Sequence, residues 1–370
     1  MAGLTADTGG RAKALVAELR AYRGRPVTFM EVCGTHTMAA ARSGLRQLLP
    51  DRVRLISGPG CPVCVTPVGF VDHALALART RGITITTFGD LMRVPGSSPI
   101  ESQDAPPTLA LARAEGCDIR VVYSPRDALA MAREAPDRQL VFLGVGFETT
   151  APALAAAVLA AADQQLPNFS MLVAAKTIPG ALELLATAED VAIDGLLCPG
   201  HVSVIVGPEA YASVVKRFGL PCAIAGFEPV EMLRAMHELV GQIQRGRPEV
   251  ANCYPGAVRP GGNPKARQLV AQVFEPRDTR WRGLGVIPAS GLALRPAYGH
   301  LDAAARFPVD LPAPVEPQGC RCGDVLRGAI DPVDCGLFGT TCTPESPRGA
   351  CMVSSEGTCA ARHQYRTDPS

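Results

Sequence analysis

The sequence predicts an α/β protein: two parallel-sheet α/β domains followed by a helical, loop-rich C-terminal domain that carries a cysteine-rich metal module. Three observations predict it. Short apolar runs alternate with helical patterns of roughly ten to fifteen residues through the first two thirds of the chain, as in βαβ units whose sheets are covered on both faces. A Pro-rich stretch starting at Phe307, FPVDLPAPVEP, then marks a change of character. Beyond it, six of the thirteen cysteines fall between Cys320 and Cys359.

In chain order, the opening MAGLTADTGGRAKALVAELRAYRG has no apolar leader core and reads as a small amphipathic helix. A first domain over 1–115 has β runs at Val27–Val32, Arg54–Ser57 and Ile83–Thr87, with helical patterns at Thr37–Leu49 and Gly69–Arg81. A second domain over 116–230 has β runs at Ile119–Tyr123, Leu140–Gly144, Ser170–Ala174, Gly195–Cys198 and Cys222–Ala225. Its helices cover Pro125–Arg133, Ala151–Asp163 and Gly180–Ala186. The third stretch, 231–370, opens in a helix over 229–247. A turn-rich Pro255–Pro264 and a helix over Lys265–Phe274 follow, before the Pro-rich linker delivers the chain to the cysteines.

Composition excludes several classes. Apolar residues make up 47% of 370, enough for a large core and too many for wholesale disorder. A formal charge of +1 with no basic block argues against a nucleic-acid partner. The longest apolar run, Ala151–Ala162, is too short to span a bilayer. Many cysteines without a secretion signal point to metal binding or thiol chemistry in a reducing cytoplasm rather than a disulfide framework.

Ligands of open α/β sheets bind beyond the carboxyl ends of the strands, and several unusual segments fall there. In MEVCGTHT, Cys33 and His36 follow a strand and open a helix; a helix N-terminus and a nearby imidazolium would lower the thiol pKa. Cys33 is therefore a candidate thiolate nucleophile or soft-metal ligand, or else a small buried hydrophobe. In SGPGCPVCVTP, Cys61 and Cys64 have the spacing of a reversible thiol–disulfide couple, with half a zinc site as the competing reading. GVGFETTAP sets Glu148, Thr149 and Thr150 at a strand mouth; it matches no phosphate-loop pattern and reads as a cap, the Thr hydroxyls meeting the amides of the helix that begins near Pro152. LCPGHVSVIVG carries Cys198 and His201, and TTFGDLMRVPGS carries Asp90 and Arg93; each is a weak signal alone.

The C-terminal cysteines group as C-x14-C-x6-C-x16-C through Cys320, Cys335, Cys342 and Cys359, which leaves Cys322 and Cys351 as a spare pair. Four thiolates on irregular sequence can hold an iron–sulfur cluster or a zinc ion, and a spare pair can form a disulfide. The spacing is too wide for the tight cysteine pairs of a zinc ribbon and lacks the ferredoxin run.

Together the segments are more specific than any one alone. EVCGTHT, SGPGCPVCVTP, TTFGDLMRVPGS, LGVGFETTAP, CPGHVSVIVG, AVRPGGNPKA, GCRCGDVLRG and CTPESPRGACMVSSEGTCAAR occur in this order, and the chain from about residue 12 to 362 resembles the HypD family of hydrogenase maturation proteins. That family helps build the Fe(CN)2CO unit of [NiFe]-hydrogenases. The resemblance implies a [4Fe–4S] cluster on Cys320, Cys335, Cys342 and Cys359, and a redox-active pair in Cys322 and Cys351. It implies a second dithiol in Cys61 and Cys64, and an essential Cys33 that binds the iron being modified. His36 belongs to the same CGTH motif, and Glu356 to an SSEG motif near the active cysteines. The implied partners are HypC, whose N-terminal cysteine shares the iron, and HypE, which delivers cyanide. ATP hydrolysis is associated with the family's complexes, but no phosphate loop is legible here.

A thiolate such as Cys33 suits low-spin iron, and a cluster with dithiols can pass electrons one or two at a time. The expected route is cluster, Cys322/Cys351, Cys61/Cys64, then iron at Cys33, which requires the C-terminal module to fold back over the sheet ends. The alternatives are a cluster-dependent thiol–disulfide reductase, which would not need Cys33, and a structural zinc module. Radical adenosylmethionine chemistry is disfavoured because no C-x3-C-x2-C occurs.

Overall fold

The computed structural model describes residues 6–97 and 106–365. Its strands are β1 (Val27–Glu31), β2 (Val53–Ser57), β3 (Ile83–Thr87), β4 (Ile119–Val121), β5 (Gln139–Gly146), β6 (Phe169–Ala175), β7 (Gly195–Pro199), β8 (Cys222–Ala225), β9 (Val250–Asn252), β10 (Phe274–Trp281) and β11 (Gly285–Leu294). The first sheet has the order β2-β1-β7-β8-β9 and the second β4-β3-β5-β6; all their pairings are parallel. Parallel strands must be buried on both faces, which is why runs such as ITITT in β3 are buried at every position. The mixed α/β architecture with parallel sheets agrees with the sequence.

Sheet membership does not follow the expected boundary at residue 115. β3 lies before that boundary yet pairs with β4 and β5, while β7 and β8 lie after it yet return to the first sheet beside β1. The chain leaves the first sheet after β2, builds the second, and comes back through the helix Ile178–Leu185. Alternating β and α patterns reveal the units in order but carry no record of which sheet each strand joins. β9 and the antiparallel hairpin β10–β11 were not expected either. β10 is largely polar and half exposed, β11 mixes buried and exposed apolar positions, the two hold Pro276 and Pro288, and the register slips between Arg277 and Thr279, so no clean alternation marks them.

Three apolar clusters hold the layers. Helices Ala6–Ala21 and Pro229–Arg245 cover one face of the first sheet, with Leu19, Phe29, Leu197, Met236 and Leu239 fully buried between them. Helices Pro125–Glu134, Ala151–Asp163 and Pro264–Val273 are served by a second cluster around Phe142, Phe169 and Met171 on the second sheet. The largest cluster is shared by both sheets and the C-terminal module, and runs in sequence from Met30 to Cys359.

The module consists of short helical turns, Cys322–Arg327, Pro332–Asp334, Ala350–Val353 and Thr358–Gln364. It docks against the first sheet, where a Cβ on Gly328 would come within 2.8 Å of Met30 Cε and 3.0 Å of Ile56 Cδ1. Arg93 ties it to the loop after β3 by donating to the carbonyls of Pro344 and Glu345. Among the described residues no helix is long and apolar enough to cross a membrane.

Candidate functional site

The first sheet reverses direction of growth between β1 and β7, the crevice where an open α/β sheet takes its ligands. Cys33 follows β1 and His201 follows β7, and their side chains meet there, with Sγ 3.7 Å from Nε2. Cys33 stands as N-cap of the helix Gly34–Ser43 with an extended backbone, and its N–H donates to Glu31 Oε2 at 3.1 Å. Glu31 is fully buried; its other oxygen accepts from Thr37 Oγ1 at 2.6 Å and faces Arg46 at 3.7 Å. One carboxylate thus ties the start of the CGTHT turn to its end.

The CxxC loop crosses directly over this turn. Gly34 N donates to Gly60 O at 2.9 Å, and a Cβ on Gly60 would sit 2.2 Å from Cys33 N. Only glycine permits that approach. Cys61 and Cys64 follow, joined as a disulfide across a Cα separation of 5.2 Å. The short helix Pro62–Val65 that carries Cys64 packs on Ala350–Val353, with Cys64 Sγ 3.9 Å from Ala350 O. The next residue, Cys351, lies 3.0 Å from Cys322, sulfur to sulfur. From there Gly349 leads to Cys320, whose Sγ lies 2.6 Å from where a glycine Cβ would stand.

The SSEG segment closes the far side. Thr35 Oγ1 donates to Glu356 Oε1 at 2.8 Å, and a Cβ on Gly34 would meet Glu356 Cβ at 2.4 Å. A Cβ on Gly357 would strike Cys351 O at 2.1 Å, so the same segment touches both the Cys33 turn and the module dithiol. Asp90, exposed at the end of β3, is near enough for its charge to act on Glu356.

Electrostatics reverse one expectation. Burial pushes the Cys33 thiol up to about 12; the amides of His36 and Thr35 oppose this, while Glu31 and Glu356 reinforce it. Burial lowers His36 to about 4 and also lowers His201, so it works against the imidazolium form of both. His36, named by its motif, turns away from the thiol; its Nε2–H donates to Gly226 O at 2.9 Å and its Nδ1 is buried without a partner. Phe227 lies against both rings, at centroid distances of 4.9 Å to His36 and 5.0 Å to His201. His201, a weak signal in sequence, is the one at the sulfur.

Glu148 and Thr149 take no part in this constellation. Glu148 Oε1 accepts from Ile178 N at 2.7 Å and so caps the helix after β6, while its Oε2 is buried and unpaired. The expected threonine caps on the helix Ala151–Asp163 are absent: Thr150 is its N-cap residue but makes no side-chain cap bond, and Thr149 is exposed. Two other residues belong to the site region without having been foreseen. Glu31 could have been noticed as a charge at the end of an apolar strand; Arg282, buried in the hairpin turn beside the CxxC loop, left no such signal.

The six module cysteines line one cavity, walled otherwise by residues such as Val325, Leu337, Phe338 and Met352. Among the described residues no three His, Cys, Asp or Glu side chains converge as ligands of one ion. Thiolates that bind separate corners of a cluster stand farther apart than ligands of a single metal, so this spread does not conflict with a cluster. Two features fit a thiolate-bound group: Arg348 N–H donates to Cys342 Sγ at 3.3 Å, and Gly349 leaves the space a Cβ would fill against Cys320.

Comparison with known proteins now bears on the site. The family profile described as "HypD: Hydrogenase formation hypA family" matches residues 10–366. Hydrogenase maturation factor HypD2 of Bradyrhizobium diazoefficiens is 47% identical over 363 residues, covering 96% of this chain and 93% of that protein. Hydrogenase maturation factor HypD of Azotobacter vinelandii is 45% identical, covering 96% and 94%, and that of Escherichia coli is 44% identical, covering 94% and 91%. Among solved structures, the type III effector protein XopQ complexed with adenosine diphosphate ribose matches at 11% identity over 88% of this chain and 98% of that one, with a TM-score of 0.17, too low to bear on the fold. By the profile match and these relatives, the chain belongs to the HypD family.

Proposed function

We propose that the chain is a [NiFe]-hydrogenase maturation factor, a redox-active scaffold on which the Fe(CN)2CO unit is assembled at Cys33 together with HypC, with cyanide delivered by HypE. One observation carries this reading: sulfur follows sulfur from the module to the crevice, through Cys320, Cys322, Cys351, Cys64 and Cys61 to Cys33, with short protein contacts at each junction.

Cys33 supplies a thiolate for the iron being modified, and a cysteine of the partner supplies another. A thiol held near 12 is protonated when free, so iron binding must displace its proton. His201, which burial holds toward its neutral form, stands with Nε2 3.7 Å from the sulfur and in its Nδ1–H tautomer would accept that proton. Buried walls around Cys33 exclude water from the iron's ligands. Cys320, Cys335, Cys342 and Cys359 would hold a [4Fe–4S] cluster, which when bound supplies single electrons. Cys322 and Cys351 convert between two thiols and a disulfide. Exchange with the CxxC breaks the Cys61–Cys64 bond as a Cys322–Cys351 bond forms, with both protons moving to Cys61 and Cys64. The cytoplasm is the compartment that suits this many free thiols.

Cys33, Cys61 and Cys64 are buried alike, at 2%, 3% and 0% exposure, and a cluster-dependent thiol–disulfide reductase differs in not needing Cys33.

Infrared spectroscopy of the protein purified with HypC and HypE tests the proposal. Cyanide and CO stretches are expected in the wild type and lost in Cys33→Ser, which keeps its brown cluster absorbance. An intact wild-type complex without those stretches would count against the scaffold, and a Cys33→Ser variant that retains them would rule out Cys33 as the iron ligand.

A further inference from the structure

The turn of the β10–β11 hairpin is wedged between the two dithiols. Arg282 N donates to Val65 O at 2.8 Å and Arg282 Nε donates to Thr66 O at 3.1 Å, so the residue clasps the C-terminal end of the CxxC helix. The next residue, Gly283, has φ of +78°, and a Cβ there would lie 2.5 Å from Gly323 Cα, one residue past Cys322. Arg327 Nη1, on the same short helix as Cys322, donates to Gly283 O at 2.7 Å. The guanidinium is 2% exposed and pairs through Nη1 with Glu316 of the Pro-rich linker, itself 54% exposed. Its Nη2 is buried without a partner.

We propose that Arg282 is a positioning residue for the thiol relay: it fixes the CxxC turn against the module, and its buried charge favours the reduced form of the Cys322–Cys351 pair. This rests on the relay reading above. Reduction of that pair takes up two electrons and two protons and breaks one sulfur–sulfur bond; wherever a sulfur holds negative charge, a desolvated cation beside it stabilises the reduced side. A buried cation with one half-exposed counter-ion and a free N–H face has charge left to act with. That charge sits on the residue before Gly283, whose packing on Gly323 sets it beside the turn that carries Cys322. A fully neutralised arginine, or one facing solvent, would have neither property.

The test is a redox titration of the full-length, iron-loaded protein in dithiothreitol buffers, with Cys322 and Cys351 read by alkylation and mass spectrometry. Arg282→Gln is expected to shift the equilibrium about tenfold toward the disulfide, about 30 mV more negative. Arg282→Lys keeps the charge but not the double clasp, and is expected within about threefold of wild type. Glu316→Gln removes the counter-charge from an accessible linker and is expected to shift the pair the other way. Equal shifts in the Gln and Lys variants would reduce Arg282 to a matter of shape, and no shift in either would end the proposal. Should both arginine variants lose cluster absorbance, Glu316→Gln decides: no shift, or one toward the disulfide, overturns the role. A wild-type pair that never titrates would sink the relay reading itself, whereas a titrating wild type with unmoved variants sinks only the role of Arg282.

Discussion

At Cys33 two opposing effects can be compared in magnitude. A helix N-terminus favours a thiolate by about 0.3–1 kcal/mol. The rise of the thiol from 9.0 to about 12 on burial corresponds to about 4 kcal/mol in the other direction. Burial outweighs the helix N-terminus, which sequence could not show, because it reveals the helix start and the neighbouring histidine but not the absence of water. The same blindness made His36 the favoured histidine and His201 the weak one, since the distance of 168 residues between Cys33 and His201 is closed only by the β1–β7 pairing. Glu148 offers a cleaner test of burial, away from any thiol. Its carboxyl is raised from 4.5 to about 7 by desolvation, so the folded protein binds this proton more tightly than the unfolded chain. The resulting stability is fully present below about 4.5 and is lost as pH rises through about 7, an effect of about 3 kcal/mol. Glu148→Gln keeps the acceptor for Ile178 N and removes the titration. Thermal melts from pH 5 to pH 8 should show wild type losing stability relative to this variant; a constant difference across that range would show that Glu148 does not titrate there.

At the scale of elements, the strands of both sheets were largely legible because buried parallel strands must be continuous apolar runs. The loops between them were not, because their shapes depend on close backbone approaches that leave only a glycine as a trace. Gly60 illustrates this. It sits between a proline and a cysteine, where a turn is the obvious role, yet it has no positive φ, and what requires it is the Cys33 backbone within 2.6 Å of its absent Cβ. No rotamer change can relieve a backbone clash, so the two loops must part. Gly60→Ala is expected to cost about 2–3 kcal/mol in denaturant unfolding. It should also displace Cys33 from His201, so that the variant carries less Fe(CN)2CO by infrared. Gly256→Ala, where nothing lies within 4 Å, should stay within about 0.5 kcal/mol of wild type. Equal behaviour of the two variants would dismiss the loop crossing as a constraint on the site.

At the scale of the whole molecule, the three-part division of the sequence gives way to interleaving. The helices Pro229–Arg245 and Pro264–Val273, from the third stretch, complete the first two layers, and only the residues after the Pro-rich linker form a separate module. That module could not stand alone. Its helices run to seven residues or fewer, and its apolar side chains belong to the core shared with the first sheet. The body can hold it at its edges, through Gly328 on Met30 and Arg93 on the carbonyls of Pro344 and Glu345. The stretch between Cys320 and Cys342 has one short helix, a 3-10 turn and backbone hydrogen bonds that reach no more than five residues along the chain, so ligation is what would fix it. We therefore expect removal of iron by a chelator to act locally. Hydrogen exchange measured with and without the cluster should speed by about tenfold or more across 319–349 and remain unchanged in β1, β5 and β7. Uniform acceleration throughout the chain would mean that the cluster supports the entire fold, and no acceleration anywhere would mean that the module is held by packing alone.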